Sequence, residues 1–214
     1  MKVVVPFKFF NPKSRLSKVL NEEERLKFSL FMLEDVVDVL KNCGCEVKVV
    51  SQSNISISAE VVVDRRSLDD VVNDELKDVP KAVVMSDLPL ISENVFKRFM
   101  NTEGDVVIAP GRKGGTNMLL VRKEGFRVSY HYGSFFKHLK IAEKLGMKVN
   151  IFDSFFASCD IDDESDLLEL LLHGKGKRSK DYLESLGFRA VMDRTPMIAK
   201  LSQLRDVSAN ERKE

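Results

Sequence analysis

The spacing of apolar residues changes several times along this chain, and each change marks an element. Val3, Val4 and Val5 run without a polar interruption, as in a strand buried on both faces, and Pro6 marks its end because it has no N–H for the ladder. Over 22–40 the spacing becomes helical. Leu26, Leu30, Leu33, Val37 and Leu40 share one face, Asn21 stands at the N-cap position and Gly44 lies just past the end. β-Branched runs at 46–50, 60–63 and 82–85 predict strands, with a short helix over 68–76. A helix over 92–100 capped by Ser92 follows, then strands over 105–109 and 118–121 around a glycine-rich turn. A helix over 134–145, capped by Ser134 and stopped by Gly146, leads to a strand over 147–152 and a helix over 163–172 with an acidic first turn. The order βαββαβαββαβα predicts an α/β fold: a Rossmann-like, mostly parallel sheet with helices on both faces.

Composition narrows this picture. With 214 residues, 43% of them hydrophobic, the chain can bury one sizeable core, so a single domain over 1–201 is expected, followed by a polar tail over 202–214. Thirty-four basic and thirty-three acidic residues leave a net charge of +1, which supplies no global field for nucleic acid or an anionic membrane. Any anion site must therefore be local. Three cysteines (Cys43, Cys45 and Cys159) do not make a disulfide framework, and Cys43-x-Cys45 lacks the two-residue gap of common zinc and redox motifs. No stretch approaches the ~20 apolar residues of a membrane helix, so a soluble, cytoplasmic protein is expected. HGKGKRSK, over 173–180, is either a flexible loop or a second anion contact. The phenylalanine-rich stretch 152–156 and the segment after Lys180 belong either to the core or to an interface between copies; symmetric dimers are the commonest oligomer, and a homodimer is expected.

Candidate chemistry collects where strands end. Lys8, Lys13 and Arg15 fall within eight positions just after the first strand, where ammonium and guanidinium groups can grip a polyphosphate, although basic loop residues are more often simply solvated. Asp87 follows the strand over 82–85 and is stiffened by Pro89, a placement that suits either a hard cation or a turn-capping role. A second acidic cluster, Asp160, Asp162 and Asp163, tips that choice. Two carboxylates around Mg²⁺, with water and phosphate oxygens, form a minimal site for nucleoside triphosphate chemistry. In APGRKGGTN, small residues allow close backbone approach while Thr116 and Asn117 add a hydroxyl and an amide; the turn lacks the spacing of a Walker loop. Gly133 and Ser134 open a helix whose free amides can hold a carboxylate or phosphate. His138, a turn further in, fits a packed, hydrogen-bonded histidine better than a base, and His131 and His173 have no recognisable partner in the sequence.

Taken in order, VPFKFFNPKSRLS, VMSDLPLIS, APGRKGGTNMLLV, YGSFFKHL and CDIDDESDL resemble the guanylyltransferases that activate 2-phospho-L-lactate for deazaflavin coenzyme F-420 biosynthesis in methanogens. The likeness covers most of residues 1–172. It implies a nucleotidyltransferase with a glycosyltransferase-A-like fold, GTP and 2-phospho-L-lactate as substrates, lactyl diphosphoguanosine and pyrophosphate as products, and Mg²⁺ as cofactor. By the same likeness, Lys8, Lys13 and Arg15 match the turn that cradles the triphosphate, and Asp87 matches a metal aspartate. Asp162 matches the second ligand, with Asp160 in reserve, and Thr116 and Ser134 match residues that hold the phosphorylated acid. Here Asp163-Glu164 stands in place of the Thr-Pro of the related D-x-D-T-P-E-D-L motif. His131 replaces a glycine, and Tyr132 stands where a small residue is common. A relative using phosphoenolpyruvate or another phosphorylated acid, and a non-catalytic nucleotide-binding protein, are the alternatives.

Overall fold

Seven strands, β1 (Lys2–Phe7), β2 (Glu46–Ser51), β3 (Glu60–Val63), β4 (Lys81–Val84), β5 (Val106–Pro110), β6 (Thr116–Val121) and β7 (Val149–Ile151), form one sheet in a computed structural model that describes residues 1–192 and 196–201. Their order is β3-β2-β1-β4-β6-β5-β7. All neighbours pair in parallel except β6, which is antiparallel to both β4 and β5. The first strand extends one residue beyond its expected end: Pro6 sits opposite Val50 and Phe7 opposite Ser51. The central strands read as continuous apolar runs because both of their faces are covered. Val106 to Ala109 and Met118 to Val121 are completely buried.

The helices are α1 (Glu22–Asn42), α2 (Leu68–Glu75), α3 (Glu93–Asn101), α4 (Ser134–Lys144), α5 (Phe155–Ser158), α6 (Glu164–His173) and α7 (Arg178–Ser185). One face of the sheet packs on α1 and α3 through Val3, Val5, Leu33, Val37, Phe96 and Phe99. The other packs on α2 and α4 through Val83, Ile108, Leu119, Val72 and Ala142. Asn21 caps α1 in a reciprocal box with Glu24, as its place in the sequence predicts. Ser134 differs from expectation. The N-cap of α4 is Gly133, at φ 68°, and Ser134 is the first helical residue, its side chain released to point elsewhere.

A third cluster lies beside the sheet, formed by Leu16, Leu20, Phe28, Met32, Ile161, Leu167, Leu170, Leu183 and Phe188. It includes α7 and strand β8 (Phe188–Val191), which pairs antiparallel with β9 (Met197–Lys200). Among the described residues after Lys180, Leu183 and Phe188 are core of this chain, whereas Met192, Met197 and Leu201 are exposed. Phe152 is buried, edge-on to Phe99 at 5.5 Å. HGKGKRSK spans the end of α6, a short turn and the start of α7, and it is tied down at several points. Buried Asp35 on α1 accepts from the backbone N–H groups of Arg178 and Ser179 and from Ser179 Oγ, so it caps α7 from another helix. Lys177 donates to the Ile91 carbonyl at 3.0 Å, and Arg178 pairs with Asp38. The expected tail over 202–214 lies outside the described residues. Among the described residues no helix is long and apolar enough to cross a membrane.

Candidate active site

The basic turn after β1 is a built structure. It contains a 3-10 turn (Ser14–Leu16) anchored by fully buried Leu16. Asn11 and Lys13 both have positive φ, 44° and 52°. Asn tolerates that region; for Lys it costs about 1–3 kcal/mol and persists only where the surroundings enforce it. The enforcing group is Arg25, buried at the start of α1. Its guanidinium donates to the carbonyls of Pro12 and Leu20 at 3.2 and 3.1 Å, and to Asn11 Oδ1 at 2.9 Å. A cation at a helix N-terminus opposes the macrodipole, and that misfit was the one signal in the sequence that Arg25 has another role. Arg25 donates from three separate nitrogens of a planar fork, whereas the three donors of a lysine all sit on one nitrogen and cannot span the same three acceptors. Arg25→Lys is therefore expected to weaken the hold of this turn on a polyanion at least about tenfold, as measured by titration with inorganic tripolyphosphate.

Lys13 reaches from this turn to the acidic residues. Its Nζ lies 2.6 Å from Asp87 Oδ2 and 3.4 Å from Asp162 Oδ1, and Arg15 pairs with the other Asp162 oxygen. Burial pulls the Lys13 pKa down, but the charges of Asp87 and Asp162 outweigh it and the net shift is upward. Asp87 and the 160–162 segment are also joined through the backbone, the Ile161 N–H donating to the Asp87 carbonyl at 3.0 Å. Asp160 faces the same place. Burial first and the Asp87 charge second push its carboxyl up, against a hydrogen bond from Asn117 Nδ2 at 3.2 Å. Asn117 also donates to the Ala157 carbonyl at 3.0 Å, so its amide holds the acidic segment against β6.

Asp163 stands back from this group as the N-cap of α6, boxed with Asp166. Asp166 is nearly fully buried, accepts from the N–H groups of Asp162 and Asp163 at 2.8 and 2.9 Å, and pairs with Arg112. It aims Asp162 without entering the cleft. Its spacing of three from Asp163 is a capping-box pattern, a signal the sequence carried. Lys113 closes the set at 2.6 Å from Asp163.

Beyond Asp162 lies a recess lined by Lys113, Asn117, Tyr130, His131, Gly133 and Ser134, among others. Gly111, at its rim, approaches the Asn117 side chain so closely that a Cβ would sit 2.5 Å from Oδ1. Ser134 Oγ lies 3.3 Å from Thr116 Oγ1, and Thr116 Oγ1 lies 2.9 Å from His138 Nδ1. Burial lowers the His138 pKa to about 4, so the ring is neutral near pH 7. The Tyr130 hydroxyl is buried with no hydrogen-bond partner among the described residues. His131 is exposed, 3.5 Å from Asp69, and Tyr132 stands almost fully in solvent.

Three recesses thus run along one edge of the sheet. The middle one is walled by Lys8, Lys13, Arg15, Ser86, Asp87 and Asp162. It shares Lys8, Ser86 and Asp87 with a more apolar recess reaching Val50, Gln52, Asp64, Arg66 and Leu68, and it shares Arg15 and Asp162 with the recess at Ser134. The structure brings all the sequence-predicted residues to this cleft or its wall, with Thr116 buried one layer behind.

Sheet and cleft place the chain in the nucleotidyltransferase fold. A candidate nucleotide-diphospho-sugar transferase of Desulfovibrio desulfuricans G20 superposes with a TM-score of 0.71 at 13% identity, covering 86% of this chain and 94% of that one. A nucleotidyl transferase of Methanothermobacter gives 0.52 at 12% identity, covering 86% and 98%. The chain belongs to the guanylyl transferase CofC-like family, which matches residues 1–204. The 2-phospho-L-lactate guanylyltransferase of Archaeoglobus fulgidus is 59% identical over 199 residues, covering 92% of this chain and 96% of the relative. That of Methanoculleus marisnigri is 42% identical over 194 residues, covering 89% and 90%.

Proposed function

We propose that this protein couples GTP to 2-phospho-L-lactate, giving lactyl-2-diphospho-5′-guanosine and pyrophosphate, as a step of coenzyme F-420 biosynthesis. The observation that carries the proposal is the convergence of Asp87 and Asp162 on one cation, the Lys13 ammonium, between two further recesses. The triphosphate occupies the middle recess, the base the apolar one, and the acceptor the recess at Ser134. A phosphate oxygen of the acceptor forms a bond to the α-phosphorus of GTP as the bond from that phosphorus to the β-phosphate bridging oxygen breaks, and the electron pair leaves with pyrophosphate. Lys8, Lys13 and Arg15 hold the leaving group and offset its growing charge. The acceptor phosphate is already ionised near pH 7, so no general base is required.

The donor set fits Mg²⁺. Among the described residues no cluster of three or more acidic, cysteine or histidine groups forms a complete metal cage. Mg²⁺ characteristically takes only one or two protein carboxylates and completes its octahedron with water and substrate phosphates. Asp87 and Asp162 would hold it, with Asp160 in reserve, and when bound it supplies charge neutralisation on the phosphate oxygens. The deciding experiment incubates the protein and Mg²⁺ with each nucleoside triphosphate and either 2-phospho-L-lactate or phosphoenolpyruvate, and detects the coupled product by mass spectrometry. Guanylylated phospholactate is the expected product. Preference for phosphoenolpyruvate would reassign the acceptor, and GTP binding without product from either acid would refute catalysis.

A further inference from the structure

We propose that Arg66 reads the base of the nucleotide, its guanidinium donating to O6 and N7 of guanine from the wall of the apolar recess. The inference rests on the placing of GTP proposed above. Arg66 lies at the junction of β3 and α2, and the backbone there is fixed on both sides. The Asp64 N–H donates to the Ser51 carbonyl at 2.9 Å, and Ser67 caps α2 by accepting from the Asp70 N–H at 3.2 Å. The side chain is held as well. Its Nε and Nη2 donate to Asp64 Oδ2 at 3.1 and 2.8 Å, and Nη1 pairs with Asp74. A guanidinium carries five N–H groups, so one on each of Nη1 and Nη2 is left without a partner among the described residues.

Two carboxylates already offset the Arg66 charge, so the group offers direction more than charge, which suits a neutral base better than a phosphate. It lines the apolar recess and not the middle one, where Lys8, Lys13 and Arg15 face the triphosphate. Val50, Leu68, Val71 and Met85 of the same recess offer apolar surface to the flat faces of a base and leave its polar edge to Arg66. Donors on two neighbouring nitrogens of a rigid fork match the adjacent acceptors O6 and N7 of guanine. Adenine keeps N7 but carries an amino group in place of O6, which sets one donor against another.

Titration calorimetry with GTP, inosine triphosphate, 7-deaza-GTP and ATP, with Mg²⁺ and without the acceptor, makes the test. Inosine triphosphate keeps O6 and N7 and is expected to bind within about fivefold of GTP. ATP, and 7-deaza-GTP, which lacks the N7 acceptor, are each expected to bind at least about tenfold more weakly. Arg66→Met keeps the apolar stem and removes the fork. It should weaken GTP about tenfold, bind ATP no more weakly than before, and no longer distinguish GTP from 7-deaza-GTP. Equal binding of GTP and 7-deaza-GTP by the wild-type protein would overturn the inference without any variant. So would a much weaker inosine nucleotide, which would move the reading to the 2-amino group and a carboxylate such as Asp64. An equal loss for GTP and ATP in Arg66→Met would overturn it too, leaving Arg66 a support of the turn or of the phosphates. A wild-type protein that binds ATP as tightly as GTP would instead overturn the choice of GTP itself, and the inference with it.

Discussion

Asp87→Asn is expected to lower GTP-dependent pyrophosphate release by about 10³-fold or more while the protein stays folded. The amide matches the carboxylate in shape and loses the charge that a divalent cation needs. The turn should survive because its tie to the acidic segment runs through the Asp87 backbone carbonyl, which accepts from Ile161 N–H whatever the side chain. Lys13 keeps Asp162 at 3.4 Å and the nearby Asp160 charge, so its ammonium is not stranded. Turnover by a continuous pyrophosphate assay, with circular dichroism as the control for folding, makes the check. Activity within about tenfold of wild type would remove Asp87 from the metal site, since loss of one group that stabilises transition-state charge ordinarily costs 10²–10³ or more.

Lys13→Met is expected to separate stability from catalysis. The substitution preserves most of the side-chain volume but leaves Asp87, Asp160 and Asp162 facing one another without their central cation. Removing one partner of a buried pair costs about 3–5 kcal/mol; with both aspartate side chains roughly a quarter exposed, a loss on the order of 2 kcal/mol in metal-free buffer is the expected value. Millimolar Mg²⁺ should return much of that loss, because a cation that binds only the folded state stabilises it by mass action. Turnover should remain at least about 10²-fold down even then, since the leaving pyrophosphate lacks its ammonium. Melting curves with and without Mg²⁺ test the stability half of this expectation. A variant whose melting temperature ignores Mg²⁺ would mean that the carboxylates do not form a shared cation site.

The elements through α6, apart from the 3-10 turn and the four-residue α5, were legible because their signals are local. Asn21 with Glu24 and Ser92 at its helix start are capping chemistry readable in four residues, and the apolar runs of β4, β5 and β6 need no partner to be recognised. What escaped depends on tertiary partners. Ser134 looks like an N-cap beside Gly133, yet the αL backbone at Gly133 takes that place and frees the hydroxyl for Thr116. The basic stretch at 173–180 looks like a solvated loop because Asp35, its partner, lies more than 140 positions away. β8 and β9 are short and only half-buried, with no alternation strong enough to mark them. Within the site, the charged residues were visible from their positions after strands, while Arg25 and Asp166, which aim them, left only a helix-end cation and a capping-box spacing in the sequence, and their roles depend on partners that only the fold supplies.

The third cluster has a consequence for how this enzyme can be altered. Leu16 backs the turn that carries Lys13 and Arg15, Ile161 backs the segment that carries Asp160 and Asp162, and both belong to one cluster with Leu183 and Phe188. The distance between opposite charges in the cleft is thus set by one oily wedge contributed largely from the far end of the chain. A methyl group gained or lost there would retune the grip on a triphosphate from a place no substrate ever visits.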